Sequence, residues 1–153
     1  MRSPFSMPGE LIITAGQTGI QFPEATFMNN VDKPGEFHRM IPRVVALDDD
    51  NIPLTTQPDQ ELLQSLVRVT VNDLGKNQII TKNPTLMSIL TKGTSERSWE
   101  WADPYYLVRS ESFQVVIDCV NTTFPAITDL AALKIAIDFQ GFLCVVAPAS
   151  NAR

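Results

Sequence analysis

Two segments in the second half of the chain place an apolar residue at every second position. In residues 113–120 one side of the alternation holds Phe113, Val115, Ile117 and Cys119. In residues 133–140 one side holds Leu133, Ile135, Ile137 and Phe139. A period of two is that of a β-strand with one buried face. The pattern therefore predicts two half-buried antiparallel strands.

Shorter apolar runs separated by turn residues predict the remaining strands. They fall at residues 11–14, 25–31, 36–47, 62–71, 78–82 and 142–147. Pro42 cannot donate to a β-ladder, so it predicts an edge strand or a bulge within 36–47. The run 142–147 is apolar on both faces, which predicts a central or covered strand. Strands of this length, with turns about every ten residues, are typical of a two-sheet antiparallel structure.

One segment carries the start and stop signals of a helix. Asn83 is a suitable N-cap and Pro84 a suitable first residue, and Gly93 provides a C-terminal stop. The expected fold class is all-β, an antiparallel two-sheet β-sandwich of jelly-roll type with this one short helix and an extended N-terminal arm. The expected domain organisation is an arm at residues 1–10 and a single jelly-roll-like domain at residues 11–153.

The N-terminal residues combine helix breakers with large apolar side chains. Pro4, Pro8 and Gly9 favour an extended segment over a helix. Phe5 and Met7 are seldom kept on a solvent-exposed tail, so the arm either folds back on its own domain or lies on a neighbouring protein. The neighbour is the favoured interpretation.

Residues 96–118 concentrate aromatic residues without an accompanying catalytic set. Trp99 and Trp101 are two residues apart, so a strand directs both to one face. Tyr105 and Tyr106 follow the Asp-Pro turn. Large rigid aromatics on one side of a sheet either fill a core or anchor a partner. Each tryptophan is open to both interpretations.

Composition restricts the classes of protein to consider. The chain has 153 residues, of which 44% are hydrophobic and only 19% charged, which indicates one folded domain with part of its surface covered by other protein. A net charge of -5 without a Lys/Arg cluster argues against a nucleic-acid partner. No apolar run is long enough to span a membrane, and no membrane partner is expected. Cys119 and Cys144 lie in apolar strand patterns, which favours buried thiols over a disulfide.

Candidate chemistry is sparse. His38 is the only histidine, which excludes a multi-histidine metal site and predicts a hydrogen-bonded ring on a strand. Asp48 and Asp50 lack the glycine and distal glutamate of a calcium loop, so a solvated loop is expected. Glu96 and Glu100 are a weak candidate for a glycosidase pair. The sequence therefore predicts no enzyme, no cofactor and no metal.

Three features together resemble one group of viral proteins. They are the apolar N-terminal arm, the motif Arg97-x-Trp99-x-Trp101-x-x-Pro104-Tyr105 leading to Phe113-Gln114-Val115, and the closing Leu133-Lys134-Ile135 to Phe139-Gln140-Gly141-Phe142. This layout, from about residue 11 to residue 147, resembles the small jelly-roll auxiliary capsid proteins of tailed bacteriophages, called cement or decoration proteins.

The resemblance implies a mechanical function on the virion. Such proteins bind the outer surface of the capsid as dimers or trimers, so the expected partners are the major capsid protein and further copies of the chain. The expected location is the capsid surface, after synthesis in the host cytoplasm. The candidate partner-binding residues are Phe5, Met7, Trp99, Trp101 and Tyr105. The alternative is a carbohydrate-binding β-sandwich of a fibre or receptor-binding protein, which would use the same aromatics as a sugar platform.

Overall fold

The computed structural model describes residues 3–14, 24–81, 84–92, 97–119 and 127–144. Within them, one sheet has the strand order β1 (Ser3–Thr14), β9 (Ala132–Leu143), β3 (Gly35–Leu47), β7 (Trp99–Leu107). The other has the order β2 (Glu24–Met28), β8 (Ser112–Cys119), β4 (Val67–Asp73), β5 (Gln78–Ile79), with β6 (Thr85–Leu86) also on β4. The helices are α1 (Gln60–Gln64) and α2 (Met87–Leu90). The prediction of an all-β fold with two antiparallel sheets is confirmed.

The strands pair from the two ends of the chain toward its middle. Antiparallel ladders join β1 to β9, β2 to β8, β3 to β7 and β4 to β6. The strands β1 to β4 therefore form one side of a long hairpin, and β6 to β9 form the other. Two further ladders, β3 with β9 and β4 with β8, fold this hairpin into two sheets. Most of these ladders therefore join residues that are distant in sequence.

The core lies between the two sheets and follows the period-two pattern of their strands. Its fully buried members from β4, β8 and β9 include Val67, Val69, Val71, Phe113, Val115, Ile117, Leu133, Ile135 and Phe139. The predicted inward phase of β8 and β9 is confirmed. β9 continues to Leu143 as one strand between β1 and β3. Of the separately predicted run 142–147, residues 145–147 lie outside the described part of the chain.

The N-terminal segment belongs to the sheet, in contrast to the arm predicted at residues 1–10. From residue 3 onward it is the first half of β1, in register with β9 from Ser3 opposite Leu143 to Thr14 opposite Ala132. Its extended conformation is as predicted, but its place on a neighbouring protein is not. The two prolines are tolerated because β1 is an edge strand, where an N–H directed away from β9 forms no ladder bond.

The helices differ from the prediction in number and place. Thr85 and Leu86 pair with β4 as β6, so α2 is a single turn that starts at Met87. The proposed caps Asn83 and Gly93 lie outside the described residues. α1 occupies the start of the segment predicted as strand 62–71, which begins instead at Val67. The prediction of one helix was wrong because a five-residue helix has too few turns to show a period.

Glutamine side chains explain why a helix lies there. β7 pairs with β3 only from Gly35 to Met40, and the rest of that edge of β3 is covered by the loop before α1 and by α1 itself. Gln57 accepts from the N–H of Ala46 at 2.8 Å and donates to its C=O at 2.9 Å. Gln60 does the same for Val44, at 3.0 and 2.6 Å. The side-chain amides thus replace a missing neighbouring strand.

Pro42 fits this arrangement because it has only a carbonyl to satisfy. Gln64 donates to the Pro42 C=O at 3.3 Å, while its own oxygen accepts from the hydroxyl of Thr91 at 2.6 Å. Pro42 lies beyond the end of β7, on the part of β3 that lacks a second strand. β3 also shifts register between Phe37 and Arg39. β3 is therefore an inner strand of the sheet and not an edge strand, and its bulge lies before Pro42 and not at it.

Replacing Met7 tests whether the N-terminal segment is part of the domain. Met7 is only 6% exposed, so Met7→Ala should lower the free energy of unfolding by about 2–5 kcal/mol, measured by urea denaturation. Ser6→Ala, on the exposed face of the same strand, should change it by less than about 0.5 kcal/mol. An unchanged stability of Met7→Ala would contradict the place of β1 in the core.

Replacing Gln60 tests the glutamine cover. Gln60→Leu keeps the bulk of the side chain but leaves the N–H and C=O of Val44 unpaired, so stability should fall by about 1–3 kcal/mol. The matched control is Gln78→Leu on the exposed strand β5, expected within about 0.5 kcal/mol of the parent protein. Equal stabilities of the two variants in urea denaturation would contradict the role of Gln60.

Candidate functional site

The two tryptophans of β7 face the interior of the sandwich. Their ring centroids are 5.4 Å apart with planes at 87°, and Glu100 between them is exposed, so the prediction that they share one face is confirmed. The ring of Trp101 lies 5.8 Å from that of Phe113 and 6.2 Å from that of Phe139, which belong to opposite sheets. Both tryptophans are partly buried and pack on the core. They contribute to holding the two sheets together.

The other three candidate residues also pack against their own domain. The ring of Tyr105 is 5.5 Å from that of Phe113, and the ring of Phe5 is 5.8 Å from that of Phe37. Met7 is a buried core residue. The structure thus brings Trp101 and Tyr105 together and joins Phe5 to the same core at another point. Partner contact through the exposed parts of the five residues remains a prediction.

The geometry of the tryptophans does not suit a sugar platform. Stacking on a pyranose ring requires flat, coplanar aromatic faces open to solvent. Trp99 and Trp101 meet edge to face, and each is partly covered by the core. Trp99 and Trp101 therefore do not form a flat aromatic surface on which a sugar could stack.

A charged cluster that the sequence did not reveal lies beside Tyr105. Asp73 ends β4 and is fully buried, and the side chain of Lys76 in the following turn is only 7% exposed. The Lys76 ammonium is 3.1 Å from Asp73 Oδ2 and 3.5 Å from Glu111 Oε2. The Tyr105 hydroxyl donates to the same Asp73 oxygen at 2.5 Å. No local sequence pattern marks Asp73, because its partners Tyr105 and Glu111 are more than thirty residues away along the chain.

The outer face of the β1–β9–β3 sheet carries two grooves. At one end a shallow groove is lined by Ser6, His38, Arg39, Gln140 and Phe142. His38 bonds Glu36 at 2.8 Å, as expected for a hydrogen-bonded ring, and its ring lies 5.7 Å from that of Phe142. Arg39 Nε donates to Gln140 at 3.1 Å. The groove therefore combines two partly exposed rings with polar groups held in place.

A second groove continues along the same face. It is lined by Pro8, Glu10, Ile41, Arg43, Ala136 and Asp138, among others. The register places Ala136 between Glu10 on β1 and Arg43 on β3, so a small side chain is flanked by longer ones of opposite charge. Ile12, further along β1, is 44% exposed. The face thus has apolar positions surrounded by charges of both signs.

The remaining candidates for chemistry have structural explanations. Asp48 accepts from the backbone N–H groups of Asp50 and Ile52, both at 2.9 Å, so its carboxylate closes the loop. Glu96 lies outside the described residues, and its proposed glycosidase partner Glu100 is an exposed residue of β7. In the part of the chain that the structure describes, no group of three His, Cys, Asp or Glu side chains could hold a metal ion.

Both cysteines are free thiols, as predicted. Cys144 is buried and Cys119 is half-buried at the end of β8. Burial, and secondarily the negative charge of Asp118, raises the pKa of the Cys119 thiol above its ordinary value. Cys119 therefore carries less thiolate at neutral pH than an exposed cysteine, which makes it a poor nucleophile.

Comparisons with known proteins give no assignment. No protein-family model, no curated protein and no solved structure matches the chain. None of the helices in the described ranges is long and apolar enough to cross a membrane. The function must therefore be argued from the fold and its surface.

Replacing Trp101 distinguishes a core role from a surface role. Trp101→Ala should lower the free energy of unfolding by about 3–5 kcal/mol, because its ring touches aromatic residues of both sheets. Ile12→Ala, on the exposed outer face, should cost less than about 0.5 kcal/mol. Thermal or urea denaturation measures both, and a Trp101→Ala protein as stable as its parent would contradict the core role.

Proposed function

We propose that this protein is a structural component of a virion that binds the outer surface of a bacteriophage capsid and stabilises contacts between major capsid protein subunits. The observation that carries the proposal is the pairing of strands from both chain ends toward the middle, folded into two facing sheets. That arrangement favours a jelly roll, an architecture that viral capsid and lectin domains use. The support is therefore an analogy of fold, joined to the resemblance in sequence.

The outer face of the β1–β9–β3 sheet is the surface we assign to the capsid. Ile12 and Phe142 are 44% and 37% exposed on it, and Ile41 lines its second groove. Around them lie basic Arg43 and acidic Asp138. Apolar positions with a charged surround are the usual anatomy of a protein–protein interface. The partner that the proposal names for this face is the major capsid protein.

A decoration protein benefits from a rigid body, and the described core provides one. Each copy needs only a modest contact with the shell, because many copies on one particle act together and copies linked to each other bind with higher avidity. The proposal accordingly includes self-association as a dimer or trimer. The light overall charge, 19% of residues, is in keeping with a surface partly covered by protein.

Co-sedimentation tests the capsid proposal. The purified protein is mixed with intact and with expanded bacteriophage heads that lack it, and the bound fraction is measured against concentration. Saturable binding to the heads is the expected result. Ile41→Glu, which adds a charge to the proposed face, should weaken binding at least about tenfold, as expected for the loss of a central interface contact.

The matched control for this experiment lies on the other sheet. Thr70 is in the middle of β4, between inward-facing Val69 and Val71, so Thr70→Glu adds the same charge to the opposite outer face. This variant should bind as the parent protein does. Equal weakening by both variants would contradict the assigned face, and the absence of saturable binding by the parent protein would contradict the capsid function.

A carbohydrate-binding module is the second candidate, favoured by one specific observation. In the first groove the exposed ring of Phe142 offers one face for stacking on a sugar, and Arg39 and Gln140 beside it can bond the sugar hydroxyls. A glycan array run beside the co-sedimentation tests it. Sugar binding that disappears in Phe142→Ala, with no binding to heads, would replace the capsid proposal by this one.

A further inference from the structure

Lys76 and Asp73 are buried side by side, with a second carboxylate next to them. Lys76 Nζ lies 3.1 Å from Asp73 Oδ2, and Glu111 Oε2 lies 3.5 Å from the same nitrogen. From this geometry we propose that the protein forms an intramolecular isopeptide bond between Lys76 Nζ and Asp73 Cγ. The bond would covalently lock the turn that connects β4 to β5. This inference does not depend on the capsid function.

The amine is held beside the carboxyl group that it would attack, because Lys76 Nζ lies 3.1 Å from Oδ2, an oxygen bonded to Cγ. Holding two reacting groups side by side replaces a bimolecular encounter by an effectively unimolecular step. Asp73 is held by two further donors: the Lys76 backbone N–H reaches Oδ1 at 3.1 Å and the Tyr105 hydroxyl reaches Oδ2 at 2.5 Å. Lys76 is fixed by a bond to the Tyr106 carbonyl at 3.3 Å. Both partners are therefore oriented before any reaction.

The two donors on Asp73 have different roles in the reaction. As the amine attacks Cγ, negative charge develops on Oδ1, where the Lys76 backbone N–H stabilises it. The Tyr105 hydroxyl polarises Oδ2, which is the leaving oxygen. Glu111 is held near the nitrogen because its Oε2 accepts from the Val108 N–H at 2.9 Å, and it serves as the proton carrier.

The reaction balances without any added reagent. One ammonium proton of Lys76 passes to Asp73, which leaves a neutral amine and a neutral carboxylic acid. The amine nitrogen forms a bond to Cγ, and the bond from Cγ to Oδ2 breaks. A second proton of the nitrogen travels through Glu111 to Oδ2, which departs as water. One proton remains on the amide nitrogen, and Glu111 returns to its starting state.

Burial favours the amide over the ion pair. The side chains of Lys76 and Asp73 are 7% and 0% exposed, so keeping both charged carries a desolvation cost. Condensation removes both charges and leaves Glu111, which is 20% exposed, as the one charge of the three. The ion pairs Arg68–Asp118, Arg97–Glu61 and Arg109–Asp32 use arginine, whose guanidinium stays protonated and does not react in this way.

Mass spectrometry of the purified full-length protein tests the bond. The denatured parent protein should weigh less than its sequence mass by one water molecule. Trypsin should fail to cut after Lys76, giving a single peptide of residues 69–82 that is also lighter by one water. A cyclic imide at Asp73 would give the same loss of mass but would leave cleavage after Lys76 intact. A parent protein of full mass, cut normally after Lys76, would overturn the proposal.

Three variants test the assigned roles. Lys76→Arg keeps the charge but has no amine to condense, so it should show the full mass. Glu111→Gln removes the proton carrier and should slow bond formation about 100-fold or more. Glu61→Gln, the same change at an exposed ion pair, should form the bond as the parent does. Bond formation in Glu111→Gln at the parent rate would overturn the role of Glu111. A Lys76→Arg protein that loses one water and also resists trypsin at position 76 would overturn that of Lys76.

Discussion

The fold depends on the contact between Phe113 of one sheet and Phe139 of the other, whose ring centroids are 4.5 Å apart. This pair is the centre of a continuous aromatic layer. Phe27 touches Phe139, Phe37 touches Phe113, and Trp101 touches both members of the pair. Through Phe37 the layer extends to Phe5 at the start of the chain. Aromatic pairs contribute about 0.5–1.5 kcal/mol each beyond the area they bury, so the sheets are joined by many modest contacts.

This aromatic layer also explains where sequence-based prediction succeeded and failed. The inward phase of β8 and β9 followed from the alternation of residues such as Val115 and Ile135, because a strand with one buried face has apolar residues at every second position. The same sequence could not distinguish an interior aromatic from an interface aromatic. Whether Trp101 is covered depends on Phe139, which lies on β9, almost forty residues away along the chain.

The place of the N-terminal segment in the sheet and the helix α1 were not predicted, for a related reason. Phe5 and Met7 looked like anchors for another protein because their covering strand, β9, is at the other end of the chain. The short helix α1 was missed because its position is set by hydrogen bonds from the side-chain amides of Gln60 and Gln64 to the backbone of β3. A glutamine side chain that completes a sheet leaves no periodic signal, since its partner is a backbone group of any residue type. Local patterns therefore predicted where the strands lie in the sequence, but not which segments pack beside them in the fold.

The edges of the β1–β9–β3–β7 sheet bear on how the protein could meet a partner. Pro4 and Pro8 remove two donors from the free strand β1, and Pro104 contributes no donor to β7 at the other edge. The part of β3 that lacks a second strand is already hydrogen-bonded by Gln57 and Gln60. Such devices oppose the addition of a foreign strand to a sheet. Association through the side chains of the outer face avoids this obstacle, because it requires no free backbone groups. Protected edges also prevent copies of the protein from joining one another strand to strand in solution.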